Sequence, residues 1–141
     1  MQRFTQSEVL TILTHAPAEA IKPLAEEVIP QLGAITVLQN RTGLVMLPYR
    51  DSAEGTIFHL GEVLISEAHI RLEDGVEGYG MVMGRDLEQA MAVAVLDAAL
   101  SAQIMTEDVL RFAADQAEAQ RQADDLLLRQ VQATRVEMET F

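Results

Sequence analysis

Two histidines and two glutamates, which could bind a metal, lie close together at His59, Glu62, Glu67 and His69. A zinc site requires three or four ligands with His or Cys character. These four residues could provide such a set only if the backbone turned between them. The alternative, which we favour, is the solvated face of a sheet, so we predict no metal site.

A glycine-rich run from Gly78 to Gly84 directly precedes a predicted helix. Glycines before a helix N-terminus can bind phosphate through backbone N–H groups. The spacing is GxGxxxG rather than GxGxxG, no P-loop lysine follows, and Asp86 would repel an anion unless Arg85 offset its charge. The sequence therefore favours a turn and helix cap at Gly84, Arg85 and Asp86, with an anionic ligand as the alternative. We expect Gly78 and Gly80 to allow close packing against a strand.

Asp97 lies within an apolar run of the next predicted helix. A buried carboxylate costs free energy unless it is paired. Two alternatives stay open: Asp97 marks a narrow wet side together with Ser101, or it is buried with Arg85 or Arg71 as its partner. No serine is flanked by the glycines of a nucleophile elbow, so the residues indicate no convincing active site.

The composition excludes several classes of function. The 141 residues include 22 acidic and 10 basic ones, for a formal net charge of −12, which argues against binding nucleic acid or an anionic membrane surface. The absence of Cys excludes disulfides and thiolate chemistry. The longest apolar run, Ala90 to Leu96, is too short to span a membrane. With no apolar signal core at the N-terminus, we expect one cytoplasmic domain, residues 1–141.

The pattern of apolar residues predicts an α+β fold. Two short helices open the chain, the second with Pro17 in its first turn and either kinked at Pro23 or starting late. β-Branched and alternating segments then predict an antiparallel sheet of about four strands. A hairpin turn is expected at residues 40–43, and residues 57–72 form a strand with one wet face.

Two further helical segments follow the predicted sheet. Asp86, with Gln89 three residues later, caps a helix that is apolar on most faces and is therefore expected to be buried across the sheet. The last helix begins at Thr106 and could run to about Arg135, which at 1.5 Å per residue is about 45 Å. A globule of this chain length is only about 37 Å across. We therefore predict either two helical pieces or one helix that leaves the body, followed by an extended tail from Val136.

Blocks of sequence from about residue 40 to the C-terminus keep an order and spacing that we recognise. They are Thr42-Gly43-Leu44-Val45, Phe58-His59-Leu60-Gly61-Glu62-Val63, Gly78-Tyr79 leading to Gly84-Arg85-Asp86, Ala90 through Asp97-Ala98-Ala99-Leu100, and Ala133-Thr134-Arg135-Val136-Glu137. Together they resemble the PhnG family, the small G subunits of the bacterial carbon–phosphorus lyase system. None of the blocks is a catalytic motif, so the specificity lies in their combination.

The resemblance implies a subunit of a multi-subunit transferase rather than a free enzyme. In that family the G subunit assembles with the H, I and J subunits into a symmetric core complex, and I is the partner we expect chiefly. With an ABC-type L subunit, G, H and I take part in displacing adenine from ATP by methylphosphonate, which gives α-D-ribose 1-methylphosphonate 5-triphosphate. ATP is then a substrate of the whole complex, and we expect no catalytic residue, cofactor or metal in this chain.

We therefore predict an accessory subunit that acts through contacts with a ligand or a partner. The candidate contact residues are Glu62, Gly84, Arg85, Asp86, Asp97 and Arg135. One alternative is a self-associating structural or binding protein with no catalytic role, which could form a homodimer when isolated. Another is an enzyme in its own right, with Arg85, Glu62 and Asp97 at a phosphate-bearing site.

Overall fold

In the described part of the chain, two helices are followed by three strands and then by two more helices. This grouping of strands and helices confirms the predicted α+β class. The computed structural model describes the backbone of residues 4–50 and 57–139 and the side chains of residues 4–46 and 61–133. Its elements are α1 (Gln6–Thr14), α2 (Ala18–Leu32), β1 (Ile35–Arg50), β2 (Ile57–Leu72), β3 (Glu77–Met83), α3 (Leu87–Ser101) and α4 (Thr106–Glu139).

The described sheet has three antiparallel strands in the order β1-β2-β3, not about four. β1 and β2 are each 16 residues long and pair from Ile35 with Leu72 to Arg50 with Ile57. The predicted hairpin turn at residues 40–43 is wrong, because these residues lie inside β1 and Gly43 pairs with Ile65. The local preference of these residues for a turn is outweighed by the pairing of β1 with β2 along the whole length of both strands.

The inner face of the sheet packs against α3. Ser66, Ala68, Ile70 and Leu72 are buried on that face, as their alternation predicts.

The glycines of β3 pack against a helix rather than against the expected strand. An added Cβ on Gly78 would lie 2.2 Å from the Ala94 carbonyl oxygen, and one on Gly80 would lie 2.3 Å from the Ala90 carbonyl oxygen. Only residues without a side chain allow the backbone of α3 to come this close to the strand. The helix is consequently buried from Ala92 to Ala99 without interruption, which confirms its predicted burial.

The N-terminal helices pack on α3 and complete the core. α2 begins at Ala18, directly after Pro17, and continues through Pro23 to Leu32, so of the two alternatives, a kink or a late start, the late start is wrong. Its apolar face, which includes Ile21 and Val28, is buried. Packing of that face outweighs the local cost of proline in the helix.

α4 is one 34-residue helix that leaves the body, as one of the two alternatives predicted. Val109 and Ala113 are buried against the core, whereas every residue from Arg121 to Ala133 is exposed. The predicted extended tail from Val136 is wrong, because the helix continues to Glu139. Extending an existing helix requires no new nucleus, so the helix can continue through residues whose pattern alternates. Among the residues described, no helix is long and apolar enough to cross a membrane.

Gly80→Ala is expected to lower the free energy of unfolding by about 1–3 kcal/mol or more, because the new methyl group overlaps the backbone of α3. Gly43→Ala is the matched control, since an added Cβ there has no atom within 4 Å. The control should be neutral or stabilise by up to about 1 kcal/mol. Urea unfolding followed by circular dichroism measures both, and equal stability of the two variants would contradict the close approach.

Candidate functional site

The candidate contact residues lie at separate places on the molecule. Gly84, Arg85 and Asp86 form the connection between β3 and α3. Glu62 is exposed on β2, two residues from Leu64, whose carbonyl accepts a hydrogen bond from the Gly84 N–H at 2.8 Å. Asp97 and Arg135 lie elsewhere: Asp97 is eleven positions after Asp86, about 16 Å along α3. Arg135 lies on α4, and its side chain is outside the described ones.

The connection at Gly84–Asp86 is built as a turn and a helix cap, as the sequence favours. Gly84 has a φ of +100°, a conformation that glycine adopts without strain. Its carbonyl accepts a hydrogen bond of 2.7 Å from the buried Ser66 hydroxyl. Asp86 Oδ1 accepts the Gln89 N–H at 2.9 Å, which satisfies one of the open donors at the start of α3.

Lys22 is a partner of this corner that the sequence did not reveal. Its Nζ lies 2.9 Å from Asp86 Oδ2 and 3.6 Å from Glu88 Oε2. The hydrogen bond to Lys22 lowers the pKa of Asp86 and, reciprocally, raises the pKa of Lys22. The pair links α2 to the start of α3 across 64 positions of sequence, a distance over which no spacing pattern operates.

Asp97 is buried, with 8% of its surface exposed, and its partners are neutral. Oδ2 accepts the backbone N–H of Tyr79 at 3.0 Å, and Oδ1 accepts the Gln6 side-chain amide at 3.4 Å. Neither expected arrangement is found: Asp97 does not mark a wet side, and neither Arg71 nor Arg85 is among its partners. Two hydrogen bonds offset part of the cost of burying the carboxylate and connect α1, α3 and β3.

The outer face of the sheet carries a polar network. Glu67 accepts the Tyr79 hydroxyl at 2.6 Å and Arg41 Nε at 2.6 Å. The hydrogen bond from Tyr79 and then that from Arg41 lower the pKa of Glu67, and the bond to Glu67 raises the pKa of Tyr79 to about 12. His69 lies edge-on to the Tyr79 ring, with 6.1 Å between the centroids, and 3.7 Å from Glu77.

Two of the four candidate metal ligands, Glu67 and His69, make other contacts in this network. Glu67 and His69 share the outer face, but their contacts are with a tyrosine, an arginine and Glu77. Glu62 is on β2 away from this network, and the His59 side chain lies outside the described ones. Within the part of the chain that the structure describes, no group of three or more His, Asp or Glu side chains could hold a metal ion.

An uncovered apolar surface lies on distal α4, here residues 121–133. Its exposed apolar side chains are Leu126, Leu127, Leu128 and Val131, and Leu127 is 60% exposed. The bond from Gln120 Nε2 to the Ile12 carbonyl at 3.1 Å ties α4 to α1 just before this segment. Exposed apolar surface of this kind marks interaction sites.

A second apolar surface lies where β1 and β2 extend beyond the helices. It includes Leu44 and Met46 on the inner face of β1, which are 63% and 51% exposed, whereas the exposed Met83 of β3 lies on the outer face of the sheet. Beside it, a groove of about 370 Å³ opens between α2, α3 and β1. The groove is lined mainly by apolar side chains, among them Ile29 and Val95, with Lys22 and Glu88 at its polar edge.

Comparison with known proteins decides the family. The family model described as "Phosphonate metabolism protein PhnG" matches residues 5–141. The chain belongs to the PhnG family. It is also 40% identical over 57 residues to the alpha-D-ribose 1-methylphosphonate 5-triphosphate synthase subunit PhnG of Rhizobium meliloti (strain 1021). That match covers 40% of this chain and 36% of the relative, little more than a third of the relative's length.

The sequence blocks that carried the PhnG resemblance lie partly in the core and partly on the surfaces just described. Thr42–Val45 is in the exposed part of β1, and Gly78-Tyr79 is in β3 where α3 approaches. The block from Ala90 to Leu100 is the buried helix α3, and the last block continues distal α4. These blocks therefore contribute to the contact between α3 and β3 in the core and to the uncovered parts of β1 and α4.

Asp97→Ala is expected to lower the free energy of unfolding by about 1–3 kcal/mol, because the Tyr79 N–H loses its buried acceptor. Asp97→Asn keeps one side-chain oxygen as acceptor and should cost less. Urea denaturation of the two variants gives both values. A loss equal in Asp97→Ala and Asp97→Asn would assign the effect to the charge instead of the hydrogen bond.

Tyr79→Phe is expected to raise the pKa of Glu67 towards its ordinary value of 4.5, because the hydroxyl is the main cause of its lowering. Arg41→Gln should raise it less. A carboxyl group whose pKa is lower in the folded than in the unfolded chain stabilises the fold above about pH 4.5. This stabilisation is lost as the pH falls, and the loss should be smaller in Tyr79→Phe, where the pKa of Glu67 is lowered less. NMR titration of the Glu67 carboxyl carbon measures the pKa, and an unchanged value in Tyr79→Phe would contradict the network.

Proposed function

We propose that this chain is an accessory subunit of a synthase in phosphonate catabolism that makes α-D-ribose 1-methylphosphonate 5-triphosphate from ATP and methylphosphonate. Its partners in this proposal are the H, I and J subunits of the carbon–phosphorus lyase core, chiefly I. The chain would act in the cytoplasm, where ATP is available, and ATP would be bound by the complex rather than by a site in this chain alone.

The observation that carries the proposal is the uncovered distal α4 of a PhnG-family chain. A helix of this length buries only its first turns against its own core and exposes four large aliphatic residues beyond them. On a helical wheel, Leu127, Leu128 and Val131 lie towards one side, while Arg129 lies opposite Leu127 and Val131. The described part of the chain leaves this apolar side of the helix exposed, and such a side is suited to a groove in another protein.

The absence of gathered functional groups among the described residues supports a non-catalytic role. Asp86 is occupied in capping α3 and pairing with Lys22, and Asp97 is occupied by two neutral donors. Arg85 is exposed on the turn between β3 and α3, with Asp97 well away along the helix. A phosphate-bearing site assembled from these residues would need them in one cavity.

The net charge of −12 favours association with a different chain over self-association, because two copies repel each other. A neutral or basic partner surface is complementary to this charge. The apolar side chains would supply the affinity, and the acidic residues around them would determine which partner is bound.

Leu127→Glu is expected to weaken the complex with the I subunit by at least about tenfold, because it places a charge on the apolar side of distal α4. Arg129→Gln is the matched control: it changes the charge by the same −1 on the side opposite Leu127 and Val131 and should bind as the unaltered chain does. Co-expression followed by size-exclusion chromatography and calorimetric titration measures both variants.

Several outcomes would contradict this proposal. Separate elution of the unaltered chain and the I subunit at micromolar concentration would remove the partner role. Release of adenine by the purified chain alone from ATP and methylphosphonate would place the active site in this chain. A stable dimer in sedimentation, dispersed by Leu127→Glu, would support the self-associating alternative instead.

A further inference from the structure

The two edges of the sheet are protected to different degrees. At the β3 edge, the Tyr79 N–H points away from β2 and is accepted by the Asp97 side chain at 3.0 Å. At the β1 edge, no described strand pairs with the far side of β1. Every residue from Gln39 to Met46 is exposed, so the described helices leave this edge uncovered as well.

Hydrogen bonds within the sheet show which groups of β1 point outward. The Leu64 carbonyl accepts the Gly84 N–H, and the Leu72 N–H donates to the Val76 carbonyl, so even-numbered residues of β2 bond towards β3. Odd-numbered residues of β2 therefore bond towards β1, because N–H and C=O groups alternate sides along a strand.

The outward groups of β1 follow from this alternation and the strand register. Arg41, Gly43 and Val45 pair with odd-numbered residues of β2 and so direct their N–H and C=O groups inward. The even-numbered residues between and next to them direct their N–H and C=O groups outward. We call this set the open edge: Asn40, Thr42, Leu44 and Met46.

The open edge lacks the features that normally prevent pairing with another chain. Natural edge strands are short, bulged, or interrupted by lysine or proline. β1 has 16 residues, its register shifts lie between Val37 and Gln39 and between Leu47 and Pro48, and the segment between them has regular pairing. That segment contains no Lys and no Pro. It presents about 30 Å of regular edge.

The surroundings of the open edge indicate what its occupant must look like. On the inner face, Asn40 lines the apolar groove with Met91 and Val95, and Leu44 is 63% exposed. On the outer face, Arg41 Nε is paired with Glu67 at 2.6 Å, but the Arg41 side chain is 66% exposed and can meet a second carboxylate. A strand added here would place alternate side chains over the groove, where apolar residues fit, and the others beside Arg41, where a carboxylate fits.

We propose that β1 binds an extended segment of the larger partner subunit as an added antiparallel or parallel strand. The segment alternates apolar residues on the inner face with at least one acidic residue on the outer face. β1 contains Arg41 and Arg50 and no acidic residue, so an acidic segment is complementary, whereas a second copy would bring two arginine-bearing strands together. This inference rests on the proposed function for its partner, but concerns a surface separate from distal α4.

Amide hydrogen exchange by NMR, on the free chain and on its complex with the I subunit, tests this inference. In the free chain the amides of Arg41, Gly43 and Val45 should exchange slowly and those of the open edge rapidly. In the complex the open-edge amides should slow by at least about tenfold, because each outward N–H gains an acceptor. Unchanged exchange of the open-edge amides in the complex would overturn the inference.

Thr42→Pro removes one outward N–H and no bond to β2, so the variant should fold and bind the I subunit at least about tenfold more weakly. Thr42→Ala keeps the N–H and should bind as the unaltered chain does. Equal binding of the two variants, with Leu127→Glu still weakened, would overturn strand addition and leave the proposed function intact. No complex with the unaltered chain would overturn both. If the free chain forms a dimer that Thr42→Pro disperses, the strand added to β1 comes from a second copy of the chain. That result would overturn the partner subunit as its source.

Discussion

The close approach of α3 to β3 is the contact on which the rest of the structure depends. Side chains normally hold a helix away from a sheet, but Gly78 and Gly80 have none, and Ala90 and Ala94 opposite them have only a methyl group. Burial is therefore achieved by backbone proximity instead of side-chain volume. This explains how a chain with only 4% aromatic residues forms a core around an alanine-rich helix.

The same contact makes the two sides of the molecule unequal. Because α3 lies directly over β3, Asp97 can reach the outward N–H of Tyr79 and block that edge of the sheet. β1 lies farther from the helix, so its edge and part of its inner face stay uncovered, and a groove opens beside it. The fold is thus closed around β3 and α3 and open along β1 and distal α4.

An incompletely covered fold agrees with the membership of the PhnG family and with a role as a subunit. Distal α4 and the open edge offer two different kinds of contact. The helix presents apolar side chains to a groove, whereas the strand presents backbone donors and acceptors that recognise only an extended segment. The polar groups of the core, such as Ser66 and Asp97, are engaged in hydrogen bonds that hold elements together.

Local patterns were enough to predict the helix cap at Asp86, the alternation of β2 and the buried character of α3, because capping and periodicity act over a few residues. For α4 they left two alternatives, and the structure decided for one protruding helix. The family also followed from blocks of residues in the chain. The length of β1, the acceptor role of Asp97, the pairing of Lys22 with Asp86 and the packing of Gly78 against a helix could not be derived in this way. Each of these features depends on which distant parts of the chain come together. The turn predicted at residues 40–43 was wrong for the same reason, because pairing of β1 along all of β2 outweighs the local preference of these residues for a turn.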